Sequence, residues 1–273
     1  MTASPVRRPA VAGRFYPRDP ANLRGEVQTF LSQAPTRKAV LAVGCIVPHA
    51  GYAYSGHVAG AVFANLVIPE LCVVLCPNHT GVGRSFSIMS EGFWETPLGE
   101  VPIDGRFANA LKQQCLLLEE DSLAHRSEHA AEVELPFLQV RQPNLKFVPI
   151  VIGSGRFELL EQLGLALASV VVAEAKPVLI VASSDMNHYE SDNVTRAKDQ
   201  SAIEAILRLD AAALYDIVRQ KHVTMCGFGP TVTMLTAAKT LGAGSAELVK
   251  YGTSGDISGD RDVVVGYAGI VVR

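Results

Sequence analysis

Apolar runs and amphipathic stretches alternate along the chain. Three of the runs, 41–47, 71–76 and 177–182, are built almost entirely from apolar residues. Such runs are typical of strands buried on both faces, as in a largely parallel sheet that is covered by helices. Stretches with helical periodicity follow them. The pattern therefore predicts an α/β fold, a layered sandwich with a central, largely parallel or mixed β-sheet flanked by helices.

Capping and turn residues place the individual elements. Residues 85–103 alternate like an antiparallel strand pair with a turn near 97–99. We expect the other strands at 40–47, 71–76, 145–152, 178–182, 246–252 and 262–272. We expect helices at 19–32, 55–66, 104–114, 127–140, 157–174, 192–208, 211–220 and 230–241, with Asp19, Ser55, Asp104 and Ser127 as caps.

Length and composition favour one domain. The chain has 273 residues, of which 48% are hydrophobic, so it can bury a large core as a single unit. It contains no linker-like tract, no low-complexity segment and no internal repeat. We therefore predict a single domain over residues 1–273.

Charge and targeting signals exclude several classes of partner. Lys and Arg number 24 against 27 Asp and Glu, a formal net charge of −3, and no basic stripe stands out, so we expect no nucleic-acid partner. No secretory signal is visible, and the longest apolar stretch, 163–173, is about half a bilayer span, so we expect no membrane association. Five cysteines, an odd number, suit a reducing compartment. The expected location is the cytoplasm.

The three apolar runs end in side chains that are able to do chemistry. His49 follows the first run, His79 the second, and Asp185 and His188 the third. A single histidine after a strand is more often structural. In open α/β sheets, however, the ligand site lies beyond the carboxyl ends of the strands, so all of these side chains are expected at one edge.

Two imidazoles at one edge suggest a metal site. His49 and His79 would supply two nitrogens, and an anionic third ligand would complete the set. Asp185 is one candidate for that ligand. Cys226 is the other, because it lies in a glycine-rich stretch before a helix at Pro230, whose dipole would favour a thiolate.

The segment after the third run also offers acid/base groups. His188 can act as a general base, with Asp185 orienting a ligand imidazole or a proton donor. The structural alternative is that Ser183, Ser184 and Asp185 only cap a turn.

Short motifs in a fixed order carry a resemblance to a known family. They are Pro48-His49-Ala50-Gly51-Tyr52, Pro77-Asn78-His79-Thr80-Gly81, Glu128-His129 with Glu132, Ser183-Ser184-Asp185 with His188, Cys226-Gly227 and Thr253-Ser254-Gly255-Asp256. Together they resemble the Memo family, whose prokaryotic members are called AmmeMemoRadiSam system protein B. The resemblance covers nearly the whole chain.

The resemblance implies a fold similar to the class III, LigB-type extradiol dioxygenases. It also implies one metal ion, iron(II) or copper with zinc as an option, on His49, His79 and Cys226, with Asp185 and His188 beside it. The dioxygenases use a carboxylate where this chain has Cys226. A thiolate is softer and itself oxidisable, so ring cleavage does not follow from the fold.

Other histidines and aromatic residues are weaker candidates. His129, Glu128 and Glu132 would share a solvated acidic face of the helix at 127–140, but the resemblance raises His129 to a cavity residue. The candidate catalytic residues are therefore His188, Asp185 and His129. His125 is expected in solvent. Trp94 either lines an apolar wall of the site or packs in the core.

Three functions are consistent with the sequence. The first is a metal-dependent oxidoreductase with a dioxygenase-like cleft and an unidentified small-molecule or peptide substrate. The second is a non-catalytic metal-binding, redox or peptide-interaction module, and the third is a zinc hydrolase in which His188 activates water. The family's name implies a functional link to a radical-SAM protein and an AMMECR1-like protein.

Overall fold

A computed structural model describes residues 5–34 and 38–273. Its strands are β1 (Val6–Arg7), β2 (Gly44–Val47), β3 (Leu71–Pro77), β4 (Phe86–Ile88), β5 (Phe93–Thr96), β6 (Gly99–Pro102), β7 (Glu119–Glu120), β8 (Lys146–Ile152), β9 (Val178–Ser183), β10 (His188–Glu190), β11 (Ala246–Thr253) and β12 (Val264–Val272). Its helices are α1 (Pro20–Ser32), α2 (Tyr52–Ala64), α3 (Gly105–Gln114), α4 (Leu123–Arg126), α5 (Leu135–Arg141), α6 (Phe157–Val172), α7 (Asp192–Leu207), α8 (Ala211–Gln220), α9 (Phe228–Thr240) and α10 (Gly255–Ser258).

The main sheet is mixed. Its strands lie in the order β10-β12-β2-β9-β3-β8-β4-β7, and β11 pairs with β12. The central strands β2, β9, β3 and β8 are parallel, whereas β12 and β4 run antiparallel to their neighbours β2 and β8. A second sheet joins β1, β5 and β6, and its β5–β6 hairpin turns between Thr96 and Gly99, as the sequence predicts.

Helices cover both faces of the sheet. Alternate residues of β3 enter two different hydrophobic clusters: Val73 and Leu75 pack with α3, α6 and α9, and Cys72 and Val74 pack with α1, α2 and α5. This alternation is the period-two geometry of a strand. The layered α/β sandwich predicted from the sequence is therefore confirmed. All five cysteines lie in the described ranges and are free thiols.

Three predicted helices differ from the structure. Helix α9 begins at Phe228, two residues before the expected Pro230. Helix α2 begins at Tyr52, three residues before the expected cap, with Gly51 at its N-cap position and Ser55 buried inside the helix. The helix expected at 127–140 does not form. Its residues contribute a 3-10 turn at 132–134 and the short α5, with α4 ending just before them. Glu128, Glu132 and Glu134 are buried and bind groups elsewhere in the chain, so they cannot form one solvated face.

The carboxyl ends of the parallel strands meet at one edge of the sheet. Val47 at the end of β2 pairs with Ser183 at the end of β9, and β3 lies on the other side of β9. The loops that carry His49, Asp185 and His79 leave this edge side by side. Within the described ranges, none of the helices combines the length and apolar character that a bilayer span requires.

Candidate metal centre

Three imidazoles meet at this edge of the sheet. His49, His79 and His129 each offer one ring nitrogen, and these nitrogens lie within 4.8 Å of one another. Three ligands of one ion at about 2.1 Å lie at most about 3.6 Å from one another, so inward shifts of up to about 0.7 Å per ring would bring the nitrogens to a shared ion. The donor set is one that Zn, Fe and Cu accept.

Glu128 holds His79 in place. Its carboxylate is fully buried and accepts hydrogen bonds from the His79 backbone N (2.6 Å) and the His79 Nδ1 (2.9 Å). The same Oε1 lies 3.5 Å from Nδ1 of His129. Because His79 donates through Nδ1, its Nε2 keeps a free lone pair. This carboxylate–histidine arrangement is the usual support for a metal-bound imidazole.

The hydroxyl of Ser183 fixes the tautomer of His49. Ser183 Oγ lies 2.7 Å from the carbonyl oxygen of Ala130, 2.8 Å from His49 Nδ1 and 3.0 Å from Glu134 Oε1. Ser183 Oγ donates its single proton towards these two oxygen acceptors. It therefore accepts a hydrogen bond from His49 Nδ1. His49 Nε2 is consequently the nitrogen with the free lone pair.

Burial favours the neutral forms of the groups around His49. It raises the pKa of Glu134 well above the ordinary range and outweighs the opposing hydrogen bond from Ser183, and the negative charge of Asp185 adds to the increase. Burial likewise lowers the pKa of His49 well below its usual value, with repulsion from His79 and His129 as further causes. Burial lowers the pKa of His129 as well. His49 and His129 are therefore neutral imidazoles near pH 7, the form that binds metals.

The pKa of His79 is shifted in the opposite direction, upward. Burial opposes its protonation, but the hydrogen bond and the charge of Glu128 together outweigh burial and raise the pKa of His79. In return, the hydrogen bond and the charge of His79 outweigh burial and lower the pKa of Glu128. The pair combines a buried anion with a partly exposed imidazole. The buried carboxylate of Glu128 would offset the positive charge of either a proton or a metal ion on His79.

Asp185 positions the loop that carries His49. Its Oδ1 accepts a hydrogen bond from the backbone N of His49 at 2.8 Å. Burial raises the pKa of Asp185 to about 7, although that hydrogen bond acts against the shift. Asp185 therefore contacts the backbone of a candidate ligand, and no hydrogen bond joins it to the imidazole.

His188 is near the histidine cluster and is held by the neighbouring loop. Its backbone N donates to Thr224 Oγ1 (2.7 Å), and its Nδ1 donates to the carbonyl oxygen of Thr224 (2.9 Å). Nε2 is therefore free to accept a proton. Burial lowers the pKa of His188, with a smaller contribution from the charge of His79. His188 is consequently a neutral base near pH 7.

Cys226 lies beside His49. Its Sγ is 3.2 Å from His49 Nε2 and 3.7 Å from the carbonyl oxygen of Asp185. Burial raises the pKa of the Cys226 thiol, and the charge of Asp185 adds to this, so the expected lowering by the helix dipole is outweighed. Cys226 is outside the group of mutually close donors found among the described residues. The ligand set of His49, His79 and Cys226 stays a prediction.

Two residues that the sequence placed in solvent are buried. His125 is fully buried against the ring of Trp94, and neither of its ring nitrogens has a hydrogen-bond partner among the described residues. Glu132 is also fully buried and pairs with Arg7. Trp94 itself packs in the core beneath the Arg7 guanidinium, 4.3 Å from its ring centroid. Core packing is thus the correct alternative for Trp94.

Three supporting residues escaped the sequence analysis. Glu128 and Ser183 stand inside the recognised motifs, but nothing local shows that they would bind the imidazoles. Glu134 gives one weak sign of burial, since it is an acidic residue between the apolar residues Val133 and Leu135. Their roles depend on contacts between residues 49 to 134 positions apart.

Comparison with known proteins agrees with this architecture. A model of the Memo-like protein family matches residues 7–271. A MEMO1 family protein of Methanothermobacter thermautotrophicus is 40% identical over 96% of this chain and 99% of its own length. Another, from Methanopyrus kandleri, is 42% identical over 98% and 99%. An uncharacterized protein of Escherichia coli K12 shares the fold, with a TM-score of 0.55 and 12% identity over 84% of this chain and 98% of its own. The chain belongs to the Memo-like protein family.

Proposed function

We propose that the chain is a metal-dependent oxidoreductase that uses one iron(II) or copper ion. His49 and His79 would hold the ion, with Cys226 as the third ligand and His129 as the alternative. The observation that carries this proposal is the convergence of three ring nitrogens within 4.8 Å, two of them on imidazoles whose Nδ1 is tied to Ser183 or Glu128. When bound, the ion would supply Lewis acidity and electron exchange with a substrate oxygen.

The surrounding residues have separate tasks in this proposal. His188 accepts a proton from the substrate at Nε2, because its Nδ1 is already committed to the carbonyl of Thr224. Asp185 keeps the His49 loop in place through the backbone. Glu128 keeps His79 oriented and balances the positive charge of a bound ion.

Metal analysis tests the first part of the proposal. Protein purified under anaerobic conditions without a polyhistidine tag should retain about one equivalent of iron or copper. The His49→Ala/His79→Ala variant should lose it, whereas His222→Ala, which changes an exposed histidine, should not. Oxygen uptake over panels of phenolic and small-metabolite substrates then tests turnover. Retention of metal by the double variant would contradict the proposed ligands.

A non-catalytic metal or peptide module is the second candidate. The short distance between the Cys226 thiol and His49 Nε2 favours it, because a sulfur ligand binds Cu(I) tightly and is itself oxidised when oxygen is activated beside it. Stoichiometric Cu(I) or Fe(II) binding without turnover on any panel would support this candidate. Observed turnover would reject it.

A zinc hydrolase is the third candidate, favoured by the three-histidine group itself. Three imidazoles and an open position are the ligand set of one kind of catalytic zinc site. Zinc as the native metal together with ester or amide cleavage would identify it. We further propose a cytoplasmic location and a functional link to a radical-SAM protein and an AMMECR1-like protein, which co-purification from native cells would test.

A further inference from the structure

We propose that a basic cavity beside the histidine cluster binds a small anionic ligand through a phosphate or carboxylate group. The cavity has a volume of about 590 Å³, within the range of small-molecule sites. Its wall includes Arg7, Arg8, Arg14, Arg126, Ser122 and Ser127. This proposal does not depend on the oxidoreductase proposal.

The charge of the cavity wall is unbalanced. Four guanidinium groups line it, and no acidic side chain among the described residues does so. Arg7 is neutralised by Glu132, and Arg8 makes a 3.3 Å contact to Glu95 with 83% of its own side chain exposed. Arg14 donates to the backbone carbonyl of Ala10 and pairs with no acidic side chain within the described ranges. This basic wall belongs to a chain whose formal net charge is −3.

Unused hydrogen-bond donors accompany the charge. Among the described residues, Arg126 has no side-chain partner, and the hydroxyls of Ser122 and Ser127 make no hydrogen bonds. Guanidinium groups bind oxyanions through paired N–H donors, and hydroxyls complete such sites. The unpaired groups therefore match a phosphate or carboxylate better than a neutral or cationic ligand.

The cavity shares a wall with the histidine cluster. Ser127 immediately precedes Glu128 and His129 in the sequence, and Arg7 Nη2 donates to the backbone carbonyl of Glu128 at 2.6 Å. Phe15, which follows Arg14, contacts the His129 ring at a centroid distance of 4.8 Å. An anion bound in the cavity would therefore lie next to the segment that supports the cluster.

Titration calorimetry of the full chain tests the proposal, with inorganic phosphate and succinate as separate probes at low ionic strength. We expect one saturable site and at least tenfold weaker binding in Arg14→Gln/Arg126→Gln. Arg208→Gln, which removes an exposed arginine far along the chain, should bind like the wild type. Tighter binding of phosphate would identify a phosphate ligand, and tighter binding of succinate a carboxylate ligand.

Two further results would contradict anion binding in this cavity. The proposal would be overturned if neither probe showed saturable binding. It would also be overturned if Arg14→Gln/Arg126→Gln and Arg208→Gln lost binding affinity to the same extent. If the double variant unfolds, Arg126→Gln alone carries the test, because the side chain of Arg126 has no partner to lose among the residues that the structure describes. Its binding should still weaken at least threefold, and unchanged binding would also overturn the proposal.

Discussion

Replacing Glu132 by Gln should destabilise the protein strongly. The carboxylate of Glu132 is fully buried and accepts four hydrogen bonds, all from the start of the chain. The donors are the Arg7 guanidinium, the backbone N of Ala10 (2.8 Å), the backbone N of Val11 (3.0 Å) and the hydroxyl of Tyr16 (2.6 Å). Glutamine removes the negative charge, and its NH2 group cannot accept from any of these donors.

The size of the effect follows from the burial of Arg7. Only 4% of its side chain is exposed, so the substitution leaves a buried cation without its counter-ion. Breaking a buried ion pair in this way costs about 3–5 kcal/mol. A chain of 273 residues has an unfolding entropy of about 0.6 kcal/mol/K, so the midpoint of thermal unfolding should fall by about 5–9 °C.

Differential scanning calorimetry measures this shift directly. Glu91→Gln is the matched control, because Glu91 is exposed, and its midpoint should move by less than about 1 °C. Adding Arg7→Met to Glu132→Gln should recover part of the loss, since no unpaired charge would then remain buried. A midpoint for Glu132→Gln within 2 °C of the wild type would refute the reasoning.

Three further predictions concern the metal centre. Glu128→Gln should weaken metal binding by about 10–100-fold, which calorimetry measures. It should also lower the pKa of His79 below that of a free imidazole, because burial would then act without its counter-charge, and NMR titration measures this shift. In the wild-type apoprotein, NMR should show that His79 becomes protonated at higher pH than His49, and the reverse order would contradict the assigned partners. Cys226→Ser should reduce Cu(I) affinity more than Zn affinity if the sulfur is a ligand, and equal changes would exclude that role.

The sequence predicts those site residues that follow regular elements. His49 and His79 come directly after strands whose apolar runs are unmistakable, and parallel strands bring their carboxyl ends to one edge. The same reasoning brings Asp185 to that edge. These predictions needed only the periodicity of the chain and the topology of a parallel sheet.

The segment from 123 to 134 could not be predicted in the same way. Its spacing of Glu128, His129 and Glu132 looks like an exposed helical face, yet its conformation is set by contacts with residues far away in the chain. Glu132 binds Arg7, which is 125 positions distant, and Glu128 binds His79, 49 positions distant. A local pattern contains no information on such partners, so the placement of His129 depends on the tertiary structure.

The hydrogen bonds of Ser183 have a consequence for how the protein would acquire a metal ion. They lock the His49 ring in one orientation before any cation arrives, and Glu128 does the same for His79. The protein could then fold first and bind a metal ion afterwards, with little reorientation of these two rings on binding. Sites of this kind discriminate only weakly between different metal ions by affinity alone. Under the metal-binding proposal, the identity of the bound ion would accordingly reflect the metals available in the surroundings when binding takes place.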